Sequence, residues 1–316
     1  MGNSVNQWFE TRNECPGCTS DHFKKIYQGP YDRDPLRNYL HNFYLPKGIV
    51  EFEYLAMARY VLCECQNCSM VFQREIPNDS LMERLYEKWI ESESAHCRYK
   101  EQGIGFHYYY AQEIMRIISY FNRPAAALRF FDFGMGWGGW ALMAKAFGCD
   151  SYGSEVSTDR IENARANGIK VISWDEIPEH KFDFINTEQV LEHVPEPLKT
   201  LRHLKSGLKA DGIIKISVPT ANNIKSRLKK MDWDAPRGTK YSLNPVAPLE
   251  HINFFTRKAL LTMAAEAGMK EAIIPMSLHY KYLSLWGGTK WFAKSVLYPI
   301  PRFLLKTQNY MFFRIK

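Results

Sequence analysis

Through the middle of the chain, short apolar runs alternate with polar stretches, and the breaks between them carry the first information. Phe130-Phe-Asp-Phe133 predicts a buried strand leading straight into closely spaced glycines at Gly134, Gly136, Gly138 and Gly139. A second run, Ser151-Tyr-Gly-Ser-Glu155, ends in a carboxylate seventeen residues after Gly138, the spacing of a strand-loop-helix-strand unit that binds a nucleotide. Ile169 to Ser173 predicts a further strand. Phe182 to Pro197 predicts a strand, a loop and a helix start, and Asp211 to Pro219 a turn and another buried strand. Helices are predicted at Leu81 to Tyr86, at Ile114 to Phe121 and, behind a cap at Thr256, at Arg257 to Ala267.

The glycine turn does not by itself choose a ligand. Enzymes of NAD, FAD and S-adenosylmethionine all use such turns, and Gly139 also satisfies the dinucleotide spacing. Asp132 adds a constraint: a carboxylate inside the strand favours a cationic methionine moiety and does nothing for a pyrophosphate. Glu155, at the tip of the next strand, can accept hydrogen bonds from both hydroxyls of a ribose. The plainer alternative for both acids is helix capping or a solvated strand end.

At 316 residues and 46% apolar, the chain can bury a large core and more than one domain is expected. It has no run of eighteen apolar residues, and Met1 to Gln7 lacks both a basic region and an apolar stretch, so a cytoplasmic protein is expected. Cys15-Pro-Gly-Cys18 and Cys65-Gln-Asn-Cys68 form two knuckles, each able to present two thiolates to one tetrahedral ion; a structural zinc is expected. Disulfides fit a reducing cytosol poorly. The 46 residues between the knuckles exceed the usual spacing, which predicts an insertion from Pro30 to Glu53. Cys63 competes with Cys65 in register. Ile49 to Gln73 lacks the basic clusters that phosphate contacts need, so no nucleic acid is expected and the ribbon reads as a scaffold.

Charge is distributed unevenly. From Ala272 onward there are seven Lys or Arg and no Asp or Glu, and 34 basic and 34 acidic residues precede them, so the net charge of +7 resides in this tail. Interleaved aromatics such as Trp286, Trp291, Tyr298, Phe303, Tyr310 and Phe312 make it amphipathic. Three fates fit: lying on an anionic membrane surface, packing back on the sheet, or pairing with a second subunit.

Strand-Asp-x-Gly-x-Gly-x-Gly, the acidic strand tip, Val190-Leu-Glu-His-Val-Pro195 and Gly212-Ile-Ile-Lys-Ile-Ser-Val-Pro219 together resemble the class I S-adenosylmethionine-dependent methyltransferases, from near Leu128 to Ile274. The resemblance implies an α/β, Rossmann-like, doubly wound seven-stranded mixed sheet with its site at the carboxyl ends of the parallel strands. It implies that Asp132, Gly134, Gly136 and Gly138 border the methionine part of the cofactor, that Glu155 holds the ribose, and that Trp174 and Asp175 flank the adenine. Glu188 and Gln189 then fall near the sulfonium and the methionine carboxylate. A Cys-x-x-Cys ribbon followed by a Tyr-bearing helix is similar to bacterial methyltransferases that include the deoxysugar C-methyltransferases, in which the zinc is structural.

Methyl transfer from a sulfonium needs alignment of the acceptor and, for a hydroxyl or activated carbon, a base. Glu192-His193 and Glu250-His251 are candidates, because histidine exchanges a proton near neutral pH. In the sugar C-methyltransferases a Glu-His pair ahead of a Phe-Thr helix start supplies catalytic groups, and Glu250, His251, Phe255 and Thr256 match that pattern, with His193 as a further candidate. Pro248 stands where that subgroup carries a tyrosine. Loop histidines satisfied by the backbone are the alternative. Residues 219–255, with Lys225 to Lys230 and Trp233, read as a substrate lid or as one solvated helix face.

The expected organisation is a zinc-ribbon domain at 1–80, a helical connector at 81–125, a methyltransferase domain at 126–285 with its lid, and a basic aromatic tail at 286–316. The expected function is methylation of a small hydroxylated or sugar-like substrate, nucleotide-linked forms included. Two rivals are an O-methyltransferase of a lipid or quinone at the membrane and a non-catalytic binding module of the same fold. Neither the atom methylated nor the oligomeric state can be read from the sequence.

Overall fold

The computed structural model describes residues 7–45, 48–89, 103–219, 221, 223–236, 239–243, 245–281 and 310–316, with isolated positions at 292–293, 297 and 300. In chain order the elements begin with β1 (Phe9–Thr11), β2 (Phe23–Pro30), α1 (Leu36–Tyr44), β3 (Arg59–Cys65), β4 (Val71–Gln73), β5 (Glu75–Pro77) and α2 (Asp79–Arg84). Next come α3 (Ile104–Phe121), β6 (Arg129–Phe133), α4 (Gly139–Ala146), β7 (Asp150–Ser154), α5 (Thr158–Ala166), β8 (Lys170–Val171), β9 (Phe182–Glu188), α6 (Pro197–Ser206) and β10 (Leu208–Ser217). The last are α7 (Ile224–Lys230), β11 (Asn253–Phe254), α8 (Arg257–Glu266), β12 (Met269–Ala272), α9 (Met276–Tyr280) and β13 (Tyr310–Ile315). They fall into two compact units, one of residues 1–100, 191–200 and 219–266, the other of 101–190, 201–218 and 267–316.

The first unit is built on a four-stranded antiparallel sheet in the order β11-β4-β3-β2. The stretch expected as an insertion supplies α1, whose Leu36, Leu40 and Tyr44 recur one face apart and are fully buried. Residues 219–255, expected as a lid, also give their apolar side chains to this unit's core: Ile224, Leu228, Leu243, Val246 and Leu249 pack with Leu62, Leu81 and Leu85. Trp233 is only 5% exposed, with its ring 5.1 Å from Tyr39 and 5.8 Å from Tyr27. It is a core residue and not a platform for stacking a sugar, because the aromatic wall around it leaves no open face. The lid cations are engaged as well: Lys225 pairs with Glu64, and Lys230 Nζ lies 3.7 Å from the centre of the Tyr241 ring.

The second unit holds the seven-stranded sheet, ordered β12-β13-β10-β9-β6-β7-β8. The five central and outer strands β8, β7, β6, β9 and β10 are parallel, and β13 lies antiparallel between β10 and β12. β9, Phe182-Asp-Phe-Ile-Asn-Thr-Glu188, is buried along nearly its whole length, polar residues included, as an interior strand covered on both faces must be. One face is covered by Ile114 and Ile117 of α3 and by Trp140 and Ala144 of α4, packed on Phe130, Phe184 and Ile213. Residues 310–315, placed by the sequence in the tail, are thus an interior strand with Met311, Phe312 and Phe313 buried. The rest of that tail lies outside the described residues except for the isolated positions. Among the described residues no helix is long and apolar enough to cross a membrane.

Candidate cofactor, metal and acid-base sites

The chain runs outward from β6 through β7 and β8 and then returns to β9 on the other side of β6, so the strand order reverses between β6 and β9. In open parallel sheets this reversal opens a crevice at the carboxyl ends. Asp132 and the glycines sit there at the end of β6, Glu155 follows β7, and Glu188 and Gln189 end and follow β9. Gly134, Gly136 and Gly138 all have left-handed φ angles, of +70°, +55° and +80°. A side chain at Gly134 would strike Val190 and one at Gly138 would strike Ile169, at 2.7 and 2.8 Å, whereas at Gly136 it would meet nothing within 4 Å. The outer glycines serve packing; the middle one opens onto free space where a ligand can approach the main chain.

Asp132 is 4% exposed and its Oδ1 accepts a hydrogen bond from Asn186 Nδ2 at 2.8 Å. Burial, opposed by that bond, lifts its carboxyl to about 7. Glu155 is pinned more tightly. Oε2 accepts from the Gly136 N–H at 2.8 Å, and Oε1 from Val156 and Ser157 at 2.9 and 3.3 Å, with Arg160 3.7 Å from Oε2. It therefore caps the approach to α5 and at the same time faces the glycine turn, and its unused lone pairs remain for hydroxyls. Trp174 follows β8 and stacks on His203 with centroids 3.9 Å apart, at 14°. Its ring also lies 5.9 Å from Phe133. Asp175 beside it is exposed.

A buried charge network beside these groups was not foreseen from the sequence. Lys215, fully buried in β10, donates to Glu113 Oε2 at 2.8 Å and to Glu188 Oε2 at 3.0 Å; Trp140 Nε1 also donates to Glu113 at 2.8 Å. Asp132, Asn186 and Lys215 occupy one row of register across β6, β9 and β10 and so share a face. Burial opposes both charges of the pair, but mutual attraction holds Glu113 below and Lys215 above their ordinary values. The ammonium fixes Glu188 at the crevice. A lysine inside Gly212-Ile-Ile-Lys-Ile-Ser217 was the available signal, since a buried ammonium demands a carboxylate.

In the first unit the four cysteines converge. Cys15 and Cys68 Sγ are 3.6 Å apart, as are Cys18 and Cys65, and all four lie within 4.8 Å of one another. Tetrahedral thiolates about 2.3 Å from a zinc ion would be about 3.8 Å apart. The knuckles are alike: Thr19 and Ser69 adopt left-handed φ and donate to the carbonyls of Cys15 and Cys65 at 2.8 and 3.1 Å. Hydrogen bonding to Cys68, reinforced by burial, pushes the Cys15 thiol up, while the same bond draws Cys68 down to about 6. Cys63 is buried and outside the group.

A second convergence in this unit joins the loop after β9 to residues 247–253. Ile252 and Asn253 donate backbone N–H groups to the Glu192 carbonyl, and Asn253 Nδ2 donates to Leu191 and Val194 at 2.9 and 2.7 Å. The chain reaches Glu250 through a left-handed Leu249, at φ +82°. The His193 and His251 rings meet edge to face at 4.9 Å. His193 Nδ1 lies 2.9 Å from the Glu250 carbonyl and 3.4 Å from the Tyr86 hydroxyl, and His251 Nδ1 lies 2.9 Å from the Pro245 carbonyl. A carbonyl partner makes Nδ1 the protonated nitrogen and leaves the basic lone pair on Nε2. Glu250 thus reaches His193 through its backbone carbonyl. Thr256 caps α8 through Ala259, at 3.1 Å.

The sequence model of a family described as a methyltransferase domain matches residues 99–270. No curated protein matches the chain. Among solved structures, PKMT2 from Rickettsia typhi in complex with AdoHcy is similar at 16% identity and TM-score 0.40, over 66% of this chain and 52% of that one. The chain thus spans about half the length of that protein. Magnesium protoporphyrin IX methyltransferase from Synechocystis PCC 6803 is similar at 17% and 0.44, over 62% and 91%. The 1,6-didemethyltoxoflavin-N1-methyltransferase of Burkholderia thailandensis is similar at 17% and 0.36, over 52% and 69%. With more than half of its length matched by that model, the chain belongs to the methyltransferase-domain family.

Proposed function

We propose that this enzyme methylates a small, hydroxylated, sugar-like acceptor, and that His251, with Glu250 and His193, activates the acceptor. The observation that carries this reading is the meeting of His193 and His251 at 4.9 Å, each with Nδ1 against a backbone carbonyl at 2.9 Å. Asp132, Gly134, Gly136, Gly138, Glu155, Trp174, Asp175, Glu188 and Gln189 would hold the cofactor, which supplies an electrophilic methyl group. Cys15, Cys18, Cys65 and Cys68 would hold a structural zinc, as their spacing supports. A tritiated-methyl transfer screen over nucleotide sugars, free sugars, phenols and lipids tests the acceptor. Turnover on sugars is expected; turnover confined to lipids would replace this reading with that of a membrane O-methyltransferase, which the seven cations from Ala272 onward favour.

Asp132 makes the apoprotein sensitive to pH. With burial lifting its carboxyl from 3.8 to about 7, the folded state keeps a proton between roughly pH 4 and 7 that the unfolded chain has released. Stability therefore falls as pH rises through that window and levels off above it, by at most about 4 kcal/mol at ~1.4 kcal/mol per pKa unit. Asp132→Asn is expected to flatten the fall in urea midpoint between pH 5 and pH 8 and to weaken cofactor binding at pH 8 by roughly 10- to 100-fold. An equally steep fall in the variant would assign the dependence to another group.

A further inference from the structure

The Glu192 carboxylate is only 1% exposed, and among the described residues neither of its oxygens has a hydrogen-bond partner. At the distances in the structure neither protonation state satisfies it: ionised, it is a desolvated anion; neutral, its O–H has no acceptor within hydrogen-bond distance, His193 Nε2 lying 3.9 Å away. Burial does favour the neutral form and lifts the group to about 8, but a buried polar group left unsatisfied in either form points to something that the described residues do not supply. Its backbone carbonyl, by contrast, accepts two hydrogen bonds at 2.9 and 3.1 Å, so the loop that presents it is firmly held.

What faces it is a pair of imidazoles. His193 Nε2 is 3.9 Å from Glu192 Oε1, and one donor atom from each of Glu192, His193 and His251 falls within 4.8 Å of the other two. Both histidines carry the outer contact that fixes a ligating imidazole, Nδ1 against a backbone carbonyl at 2.9 Å. We propose that Glu192, His193 and His251 form a divalent transition-metal site, additional to the four-cysteine group, whose remaining coordination positions take oxygens of the acceptor. This rests on the reading of the histidine cluster as the place where the acceptor is activated, and gives that activation its means.

The donor set matches the chemistry. Two neutral imidazoles and one carboxylate leave a +2 ion with one net positive charge, satisfy the stranded carboxylate, and keep positions open, as a site that binds an exchangeable oxygen requires. At metal-ligand distances of about 2.1 Å the three donors would close to roughly 3 to 3.4 Å from one another, a movement of about an ångström that side-chain rotation supplies. A hydroxyl bound to the ion would ionise more readily and release its proton to solvent; the resulting alkoxide would take the methyl carbon as the carbon–sulfur bond of the sulfonium breaks, leaving a neutral thioether. The thiolate group and this one differ in ligand chemistry, which makes them separable in one protein.

The test uses untagged full-length protein already loaded with zinc at the cysteines, titrated with Co²⁺ and followed by calorimetry and by visible absorption. Co²⁺ on nitrogen and oxygen ligands lacks the intense sulfur-to-metal charge-transfer bands of Co²⁺ on thiolates. One equivalent of such Co²⁺ is expected in the wild type, with affinity lowered by about 100-fold or more in both Glu192→Gln and His251→Ala. If either variant fails to fold, the other decides. No binding in the wild type, or binding that both variants retain, overturns the metal site. If it is overturned while His251→Ala still loses turnover, the acceptor reading survives without a metal; if His251→Ala keeps full turnover, the acceptor reading fails too.

Discussion

Removing the zinc proposed for the four-cysteine group, by a chelator or by Cys68→Ala, is expected to unfold the unit of residues 1–100, 191–200 and 219–266. The four sulfurs are buried and lie within 4.8 Å of one another, and they join the turn at Cys15 to Cys18 with the one that ends β3. An apparent binding free energy of about 10–16 kcal/mol for structural zinc is as large as the roughly 5–15 kcal/mol that holds a whole domain together. Gly17 shows how closely the knuckles pack, since a side chain there would strike Met70 Sδ at 2.7 Å. Thermal unfolding followed by circular dichroism, with zinc content measured on the same samples, checks this. A transition that does not move when one zinc per chain is lost would show that the cysteines do not carry the fold.

His251→Ala is expected to lower turnover by roughly 10²- to 10⁴-fold, the range for losing a group that manages the acceptor's proton, while leaving cofactor affinity unchanged. The residues proposed to hold the cofactor and His251 belong to different units of the chain, and the imidazole is only partly buried. His251 Nδ1 meets the Pro245 carbonyl, and the following Ile252 and Asn253 hold this stretch through their own backbone hydrogen bonds, so the fold should tolerate the change. Calorimetry with S-adenosylmethionine and single-turnover methyl transfer separate the two effects. His193→Ala should behave alike; full turnover in both variants would remove the histidines from the mechanism.

Local chemistry made the parallel core readable. Strand β6 with its glycines and β7 with Glu155 show themselves because apolar runs, breaks and acid tips recur within forty or so residues of sequence. The knuckles are readable for the same reason. What was missed depends on partners far away in the chain. Lys215 looked like one polar residue in a strand, and Glu113 like one on a helix, although 102 positions separate two groups that touch. Trp233 was placed in a lid by the company of its polar neighbours, yet Tyr27, Tyr39 and Tyr60 enclose it. Residues 310–315 were set apart by charge and aromatic content, which say nothing about pairing with β10 and β12. Glu192-His193 and His251 were each visible, but only tertiary structure brings His251 to that pair.

The position of β13 bears on how the protein is made. Among the described residues β12 has β13 as its sole neighbour in the sheet, and the flank of β10 away from β9 is likewise filled by β13. During synthesis, therefore, β12 emerges from the ribosome with nothing to dock on, and the nascent sheet keeps an unpaired edge until residues 310–315 are translated. Such an edge invites wrong partners. This enzyme should accordingly depend on chaperones or slow growth temperatures when overproduced, more than a methyltransferase whose sheet closes early.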